Sequence, residues 1–236
     1  MKSILHFTLL FLFALSQNIA NAHFCEDKKV KCPIDSTEVN FCVTISFYAS
    51  GSYKDLQKTG AMGCHYQQLI NNCPKCLYAG YIDDFKKELS TKQKNKILKL
   101  LKKYKKQTIG EGQQSIIAAN IKKILKEKFN EIAFCYIYGS YLIRDVPNEI
   151  ELRKKLQTLG KKNLIADLKA NEFTNKSKIA VMNYLVAELS RRLNNFDQPL
   201  LFYDKAFKDS NKPKWLDSYI IEQKALAQNK DNNNNI

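Results

Sequence analysis

The spacing of apolar residues divides the chain into a strand-forming part and a helical part. Between residues 39 and 48, apolar and polar positions alternate, which is the period of a half-buried β-strand. After residue 83 the period becomes helical and predicts helices at 92–104 and 115–130, and the nearly all-apolar stretch 134–142 indicates a buried helix. The sequence therefore predicts an α+β fold. The apolar face of the predicted strand consists of Val39, Phe41, Val43, Ile45 and Phe47.

Glycine and proline residues set the predicted limits of several helices. The Gly-Glu-Gly sequence at 110–112 breaks the chain between two helices. Pro147 opens a further helix that Gly160 is predicted to end, and a short helix follows at 163–170. Gly139 lies in the buried apolar helix, where the missing side chain permits a close helix crossing.

The two ends of the chain differ in composition from the rest. Lys2 precedes an apolar run and a small-residue site at 20–22, which is the pattern of a secretory signal peptide, so we expect cleavage after Ala22 and export to the periplasm or the medium. No later run is apolar enough to span a bilayer. The Asn-rich end is predicted to be a disordered tail. The expected organisation is a signal peptide at 1–22, a Cys-rich unit at 23–82, a helical domain at 83–229 and a tail at 230–236.

Two Cys-Pro turns on either side of the predicted strand indicate a site at which cysteine side chains meet. One turn is Cys-Pro-Ile-Asp at 32–35, and the other is Cys-Pro-Lys-Cys at 73–76. Two such turns, separated by strands and a loop, form the layout of a zinc ribbon, in which four protein ligands surround the metal in a tetrahedron. Zinc is therefore one of the states that the pattern allows at this site, and no other cofactor is predicted. The predicted ligands are Cys32, Asp35, Cys73 and Cys76.

Other groups and other cysteine states remain open alternatives at this site. Cys42, Cys64 or His65 would replace Asp35 as the fourth ligand if the fold placed one of them nearby. An exported chain also forms disulfides, so bridged cysteines and reduced thiols are alternatives to zinc. The seven cysteines are an odd number, so at least one of them lies outside any intramolecular disulfide.

The sequence around the two turns resembles a bacterial family of unknown function. In that family a CPxC or CPxD turn is followed some forty residues later by a CPxCG turn, and a helical half comes next. Here the matching stretches are 32–37 and 73–79, with Asp84-Phe85 after them. The resemblance covers about residues 28–90 by motif and implies the architecture without an activity. Leu77 stands where the family usually has glycine, which predicts a stiffer loop.

The stretch 184–207 resembles a tetratricopeptide repeat. Ala187 and Ala206 stand at the positions where the two helices of that repeat touch, and Asn194 takes the place of the turn glycine. The resemblance implies antiparallel helices at 178–193 and 198–208, with a capping helix at 215–228. In this repeat class the first helix lines a concave groove that binds a partner. The residues implied to face a partner are Tyr184, Glu188 and Arg191.

The charge of the chain narrows the classes of partner. The net charge is +15, from 34 Lys and 4 Arg against 23 acidic residues. The shortage of arginine argues against a dedicated phosphate or nucleic-acid site, because such sites favour the bidentate guanidinium. The lysine-rich segment 86–106 is an alternative surface for a polyanion or a membrane, although a solvated helix face is the favoured interpretation.

These observations favour an exported, non-catalytic binding or assembly protein whose partner is a protein or peptide. A Ser/His/Asp set is not plausible, since only His23 and His65 remain after the leader. The enzymatic alternative is a thiol–disulfide oxidoreductase that uses Cys73 and Cys76. That activity requires an alternating β/α fold, which the helical pattern after residue 83 does not predict.

Overall fold

A computed structural model describes residues 23–60, 65–105, 107–170 and 175–233. The predicted signal peptide at 1–22 and the candidate ligand Cys64 lie outside these residues. Within the described part of the chain, no helix combines the length and the apolar character that a bilayer crossing requires.

The strands lie in the first part of the chain and form three antiparallel pairs. β1 (His23–Lys31) pairs with β2 (Glu38–Phe47) in a hairpin. Two short pairs follow, β3 (Gly51–Ser52) with β4 (Lys58–Thr59) and β5 (Asn71–Asn72) with β6 (Ala79–Gly80). A short helix, α1 (His65–Leu69), precedes β5. Two-residue strands have little stability of their own, so these pairs depend on what they pack against.

The predicted apolar strand is present, but only half of its apolar face is buried. Val39 and Phe41 are buried near the turn that joins β1 to β2, and the ring of Phe41 packs edge-on against Phe85 at 5.2 Å. Ile45 is 61% exposed, whereas the ring of Phe47, further along β2, packs against His65 of α1 at 4.6 Å.

After residue 80 the described chain is helical. The helices are α2 (Ile82–Phe85), α3 (Thr91–Leu101), α4 (Glu111–Leu125), α5 (Phe129–Leu142), α6 (Ile150–Ala170), α7 (Ser177–Arg192), α8 (Asp197–Lys208) and α9 (Leu216–Gln228), with a 3₁₀ turn at Pro147–Glu149 before α6.

Local interactions account for the start of α3 and the end of α4. Ser90 accepts a hydrogen bond from the backbone N–H of Gln93, and the Gln93 side chain reaches back to the backbone N–H of Ser90, so α3 begins at a capping box. Lys126 adopts a left-handed conformation with φ of 61° and ends α4. The helix predicted at 115–130 therefore starts earlier, at Glu111, and also ends earlier.

The prediction that Gly160 ends a helix is wrong. Gly160 lies inside α6, where a Cβ atom would stand 2.8 Å from Cγ1 of Ile137 on α5. The glycine is therefore a point of close approach between two helices. The prediction for Gly139 is confirmed, because a Cβ atom there would lie 2.6 Å from Cβ of Ser115 on α4.

The strands and the helices share one hydrophobic core. Cys32, Phe41 and Tyr78 from the N-terminal unit (residues 23–82) pack in the same cluster as Ile117 of α4 and Leu156 of α6. The buried side chain of Asp84, just after this unit, also accepts hydrogen bonds from lysines 87 and 122 at 2.8 and 3.0 Å. The N-terminal unit is thus fastened to the helical domain by apolar contacts, and the N–H of Tyr81 in this unit donates to Oδ2 of Asp84 at 3.0 Å.

The last three helices agree with the repeat-like prediction. Helices α7 and α8 pack against each other across a four-residue connection, which requires an antiparallel arrangement. Ala187 and Ala206 are fully buried, and Asn194 takes the left-handed conformation of a turn glycine with φ of 61°. Of the tail placed at 230–236, residues 231 and 233 lie against α7, since their carbonyls accept hydrogen bonds from Arg191.

Candidate metal centre

The two Cys-Pro turns, which we call the first knuckle (residues 32–37) and the second knuckle (residues 73–78), have the same backbone hydrogen bonds. In each, the N–H of the first cysteine donates to the carbonyl five residues later, and its carbonyl accepts from the N–H four residues later. The distances are 2.8 and 2.9 Å in both knuckles. The hydrogen-bonded pairs are Cys32–Thr37 and Ser36–Cys32 in the first, and Cys73–Tyr78 and Leu77–Cys73 in the second.

Each knuckle closes through a residue in the left-handed region. Ser36 has φ of 61°, and Leu77, at the same position of the second knuckle, has φ of 68°. This conformation costs an L-residue about 1–2 kcal/mol, which explains why the resemblance leads one to expect glycine there. The turn nevertheless forms with leucine.

Four side chains from the two knuckles converge on one point. The ligand atoms of Cys32, Asp35, Cys73 and Cys76 all lie within 4.8 Å of one another. Sγ of Cys32 is 3.5 Å from Sγ of Cys76, and Sγ of Cys73 is 3.6 and 3.7 Å from the two carboxylate oxygens of Asp35. A tetrahedral zinc ion with its usual bond lengths separates two sulfurs by about 3.8 Å and a sulfur from an oxygen by about 3.5 Å. The four groups therefore fit the size of a metal ion.

Asp35 occupies in the first knuckle the position that Cys76 occupies in the second. The N–H of Thr37 donates to Oδ1 of Asp35 at 3.1 Å, and the N–H of Tyr78 donates to the sulfur of Cys76. Backbone N–H groups two and three residues further along also donate to the sulfurs of Cys32 and Cys73. Because these donors stabilise negative charge, both knuckles are arranged for anionic ligands.

The proton affinities of the four groups reflect their contacts. A hydrogen bond from Cys76 lowers the pKa of Cys32 to about 7, and the same bond, together with burial, raises the pKa of Cys76. Burial raises the pKa of Cys73. Burial acts to raise the pKa of Asp35, but hydrogen bonds from Thr37 hold it below its usual range. A divalent metal would displace the remaining thiol protons, since thiolates are the ligating form.

The alternative ligands are engaged elsewhere or lie outside the described residues. Cys42 forms a disulfide with Cys25, with 5.3 Å between their Cα atoms, so its proposed role as a substitute ligand is wrong. Nδ1 of His65 is 2.9 Å from the hydroxyl of Thr44, and the histidine is not part of the four-residue group. Cys64 falls among the residues that are not described. Cys135 is buried in α5 as a free thiol.

Comparison with known proteins places the chain in a family. Residues 25–231 match the family described as "Uncharacterized protein conserved in bacteria (DUF2225)". The chain belongs to this family. Neither the curated proteins nor the solved structures yielded a match. Membership confirms the resemblance drawn from the knuckles, and it adds no activity.

In this DUF2225 protein the residues expected to face a partner are buried. Tyr184, Glu188 and Arg191 are each 0% exposed. The carboxylate of Glu188 accepts hydrogen bonds from Arg191, from Arg192 and from the hydroxyl of Tyr203 on α8. The prediction of an open groove on α7 is therefore wrong. A single repeat has no neighbouring copies to form a groove, and here α6, α8, α9 and the β3–β4 turn surround α7.

A buried ionic cluster joins the β3–β4 turn to the helices, and the sequence analysis missed it. Asp55 in that turn is fully buried and pairs with Arg144, just after α5, and with Arg192 of α7 at 3.4 Å. The hydroxyl of Tyr184 donates to the carbonyl of Lys54 at 2.5 Å. The sequence carried a signal for this cluster, because arginine is rare in this lysine-rich chain. All four arginines lie at the cluster: Arg144, Arg153, Arg191 and Arg192.

The lysines of the segment 86–106 fall into two groups. Lys86 and Lys87 pair with Asp83 and Asp84. Among the described residues, no ion pair involves a lysine of α3. These lysines point outward, whereas Ile97 and Leu101 of the same helix are buried. The helix face is basic and solvated.

Proposed function

We propose that this protein is an exported, non-catalytic binding protein whose N-terminal unit is held together by a structural zinc ion. The observation that carries the proposal is the convergence of three cysteines and one aspartate from two knuckles of the same backbone conformation. Four protein ligands leave no open position for substrate, and this closed arrangement is characteristic of structural zinc.

The ion would link parts of the chain that have little stability of their own. The first knuckle joins β1 to β2, and the second joins β5 to β6, whose strands are two residues each. Structural zinc contributes directly to folding, because the unfolded chain has no preformed site. We therefore assign the metal a role in fixing the knuckles against the helical core.

The oxidoreductase alternative has less support. A redox Cys-x-x-Cys pair needs an accessible first cysteine at the start of a helix, where the thiolate is stabilised. Cys73 is fully buried, and the turn that holds it leads into β6. The geometry of the second knuckle thus favours metal binding over thiol exchange.

Two observations support export. The sequence of residues 1–22 has the pattern of a signal peptide, and the disulfide between Cys25 and Cys42 is a bond that persists in oxidising compartments. Zinc bound at the two knuckles would keep Cys32, Cys73 and Cys76 from oxidation.

The proposed partner is a protein, and it would bind outside the closed interior of α7. Large apolar side chains are exposed on α8 and α9, including one at the start of α9. A contiguous exposed apolar surface marks an interaction site. Polyanion binding through the unpaired lysines of α3 is the second alternative. The exposed residues are Leu201, Phe207, Trp215 and Ile221.

The test of the zinc proposal is metal content combined with native mass. Protein isolated from its own compartment should carry one zinc per chain, and Cys73→Ser should lose it. Cys135→Ser is the matched control, because this free cysteine is also fully buried but lies outside the centre. A metal-free wild type whose Cys32 and Cys76 are bridged to each other would overturn the proposal.

A further inference from the structure

One face of α6 carries buried hydrogen-bond donors that have no acceptor among the residues that the structure describes. Arg153 and Gln157 lie one helical turn apart, so their side chains are neighbours on the helix surface. Nε and Nη2 of Arg153 and Nε2 of Gln157 are buried without a hydrogen-bond partner. Gln157 as a whole is 2% exposed. All three nitrogens are donors, which a single acceptor group would satisfy.

The charges around this face also lack balance. Asp55 is shared by Arg144 and Arg192, and Glu188 is shared by Arg191 and Arg192. The remaining guanidinium nitrogen of Arg153, Nη1, donates to the backbone carbonyl of Arg144 at 3.3 Å and so meets no carboxylate there. Among the described residues, the cluster therefore contains four guanidinium groups and two buried carboxylates.

The electrostatic surroundings of Arg153 agree with this surplus. Burial, followed by the positive charge of Arg144, lowers the pKa of Arg153 to about 10, although Asp55 and the exposed Asp145 oppose the shift. A buried charge without a partner is unfavourable in proteins, and such charges are normally paired. An anion at this position would remove both the unsatisfied donors and the excess charge.

We infer that Arg153 and Gln157 form a binding site for a small oxyanion, a carboxylate or a phosphate. The planar guanidinium offers two parallel donors that match two oxygens of such a group. Arg153 as a whole is half-buried, so its side chain borders solvent although its two unsatisfied nitrogens are buried. A water molecule would satisfy the donors but would leave the charge unbalanced. The site is independent of the zinc centre and goes beyond the proposed function.

The first experiment measures thermal unfolding of the full chain after dialysis into a chloride buffer. Inorganic phosphate and acetate are titrated separately, each against sodium chloride at equal ionic strength. We expect a saturable rise in Tm with at least one of them, and comparison of the two titrations distinguishes a phosphate from a carboxylate ligand. A rise that chloride reproduces would overturn the inference.

The second experiment uses variants of the same helix. Arg153→Met should abolish the oxyanion-dependent rise and leave the ion-free Tm at or above that of the wild type, because it removes unsatisfied donors. Lys155→Met, at an exposed position two residues away, should keep the full rise. An unchanged rise in Arg153→Met would refute the site. If Arg153→Met does not fold, calorimetry of the wild type with the effective anion decides: one saturable site supports the inference, and no heat of binding ends it.

Discussion

Replacing Arg191 by glutamate gives the sharpest test of the closed interior around α7. In the wild type, the guanidinium donates to both carboxylate oxygens of Glu188, at 3.0 and 2.8 Å, and to the carbonyls of Asp231 and Asn233, at 2.8 and 2.9 Å. Both side chains of the pair are 0% exposed. Arg191→Glu would remove these donors and place a second carboxylate beside Glu188.

The expected cost is large compared with the stability of a domain. Breaking a buried ion pair by removing one partner costs about 3–5 kcal/mol, and like charges in contact add to it. Globular domains are stable by about 5–15 kcal/mol, so the variant should be close to unfolding. At about 2–4 °C per kcal/mol for a chain of this size, we expect a fall in Tm of roughly 6–20 °C.

The assay is denaturant unfolding of the full chain, with Lys178→Glu as the matched control. Lys178 is exposed on the same helix, so the same charge change should alter stability by about 0.5 kcal/mol or less. If both variants unfold at the same denaturant concentration, the reasoning is refuted. Arg191 would then be solvent-facing, as the repeat resemblance implies.

Three further predictions concern packing, pH and the metal ligands. Gly139→Ala should cost about 1–3 kcal/mol in denaturant unfolding because its Cβ would press on α4. Gly110→Ala, at the N-cap of α4 with nothing within 4 Å of its Cβ, should cost less than about 1 kcal/mol, and equal effects would contradict the close crossing. Burial acts to raise the pKa of Glu188, but Arg191 and Arg192 hold it below its usual value of about 4.3, so its stabilisation is present above about pH 4.3 and is lost as pH falls through the folded pKa. Unfolding measured from pH 6 to 3 should show that loss, and Glu188→Gln, although less stable, should show a shallower slope. Asp35→Cys should retain one zinc per chain and take up cobalt with the absorption of a four-thiolate site; a cobalt spectrum unchanged from that of the wild type would exclude position 35 from the centre.

The helices and the knuckles were predictable from the sequence because their causes are local. The alternation at 39–48, the capping box at Ser90 and the apolar periods of α3 and α4 depend on residues a few positions apart. The knuckle conformation is equally local, since its hydrogen bonds span four or five residues. Asp35 could be proposed as a ligand because it stands at the spacing of Cys76.

Tertiary packing decided the features that depend on distant partners. Gly160 lies inside a helix at a close crossing with Ile137, which is 23 positions earlier in the sequence. No local pattern around Gly160 reveals this contact. The pairing of Cys42 with Cys25, and not with the knuckles, follows from the register of β1 on β2.

The same reason explains why the sequence does not show that the polar face of α7 is buried or that the arginines form a cluster. The sequence fits a repeat helix with a polar face toward a partner, and that face is polar in the structure as well. Its partners, however, are Tyr203 and the turn that carries Asp55, which come from distant parts of the chain. Periodicity shows that a helix has two faces, but only the three-dimensional arrangement of the other elements decides which faces meet water, because burial depends on contacts between residues far apart in sequence.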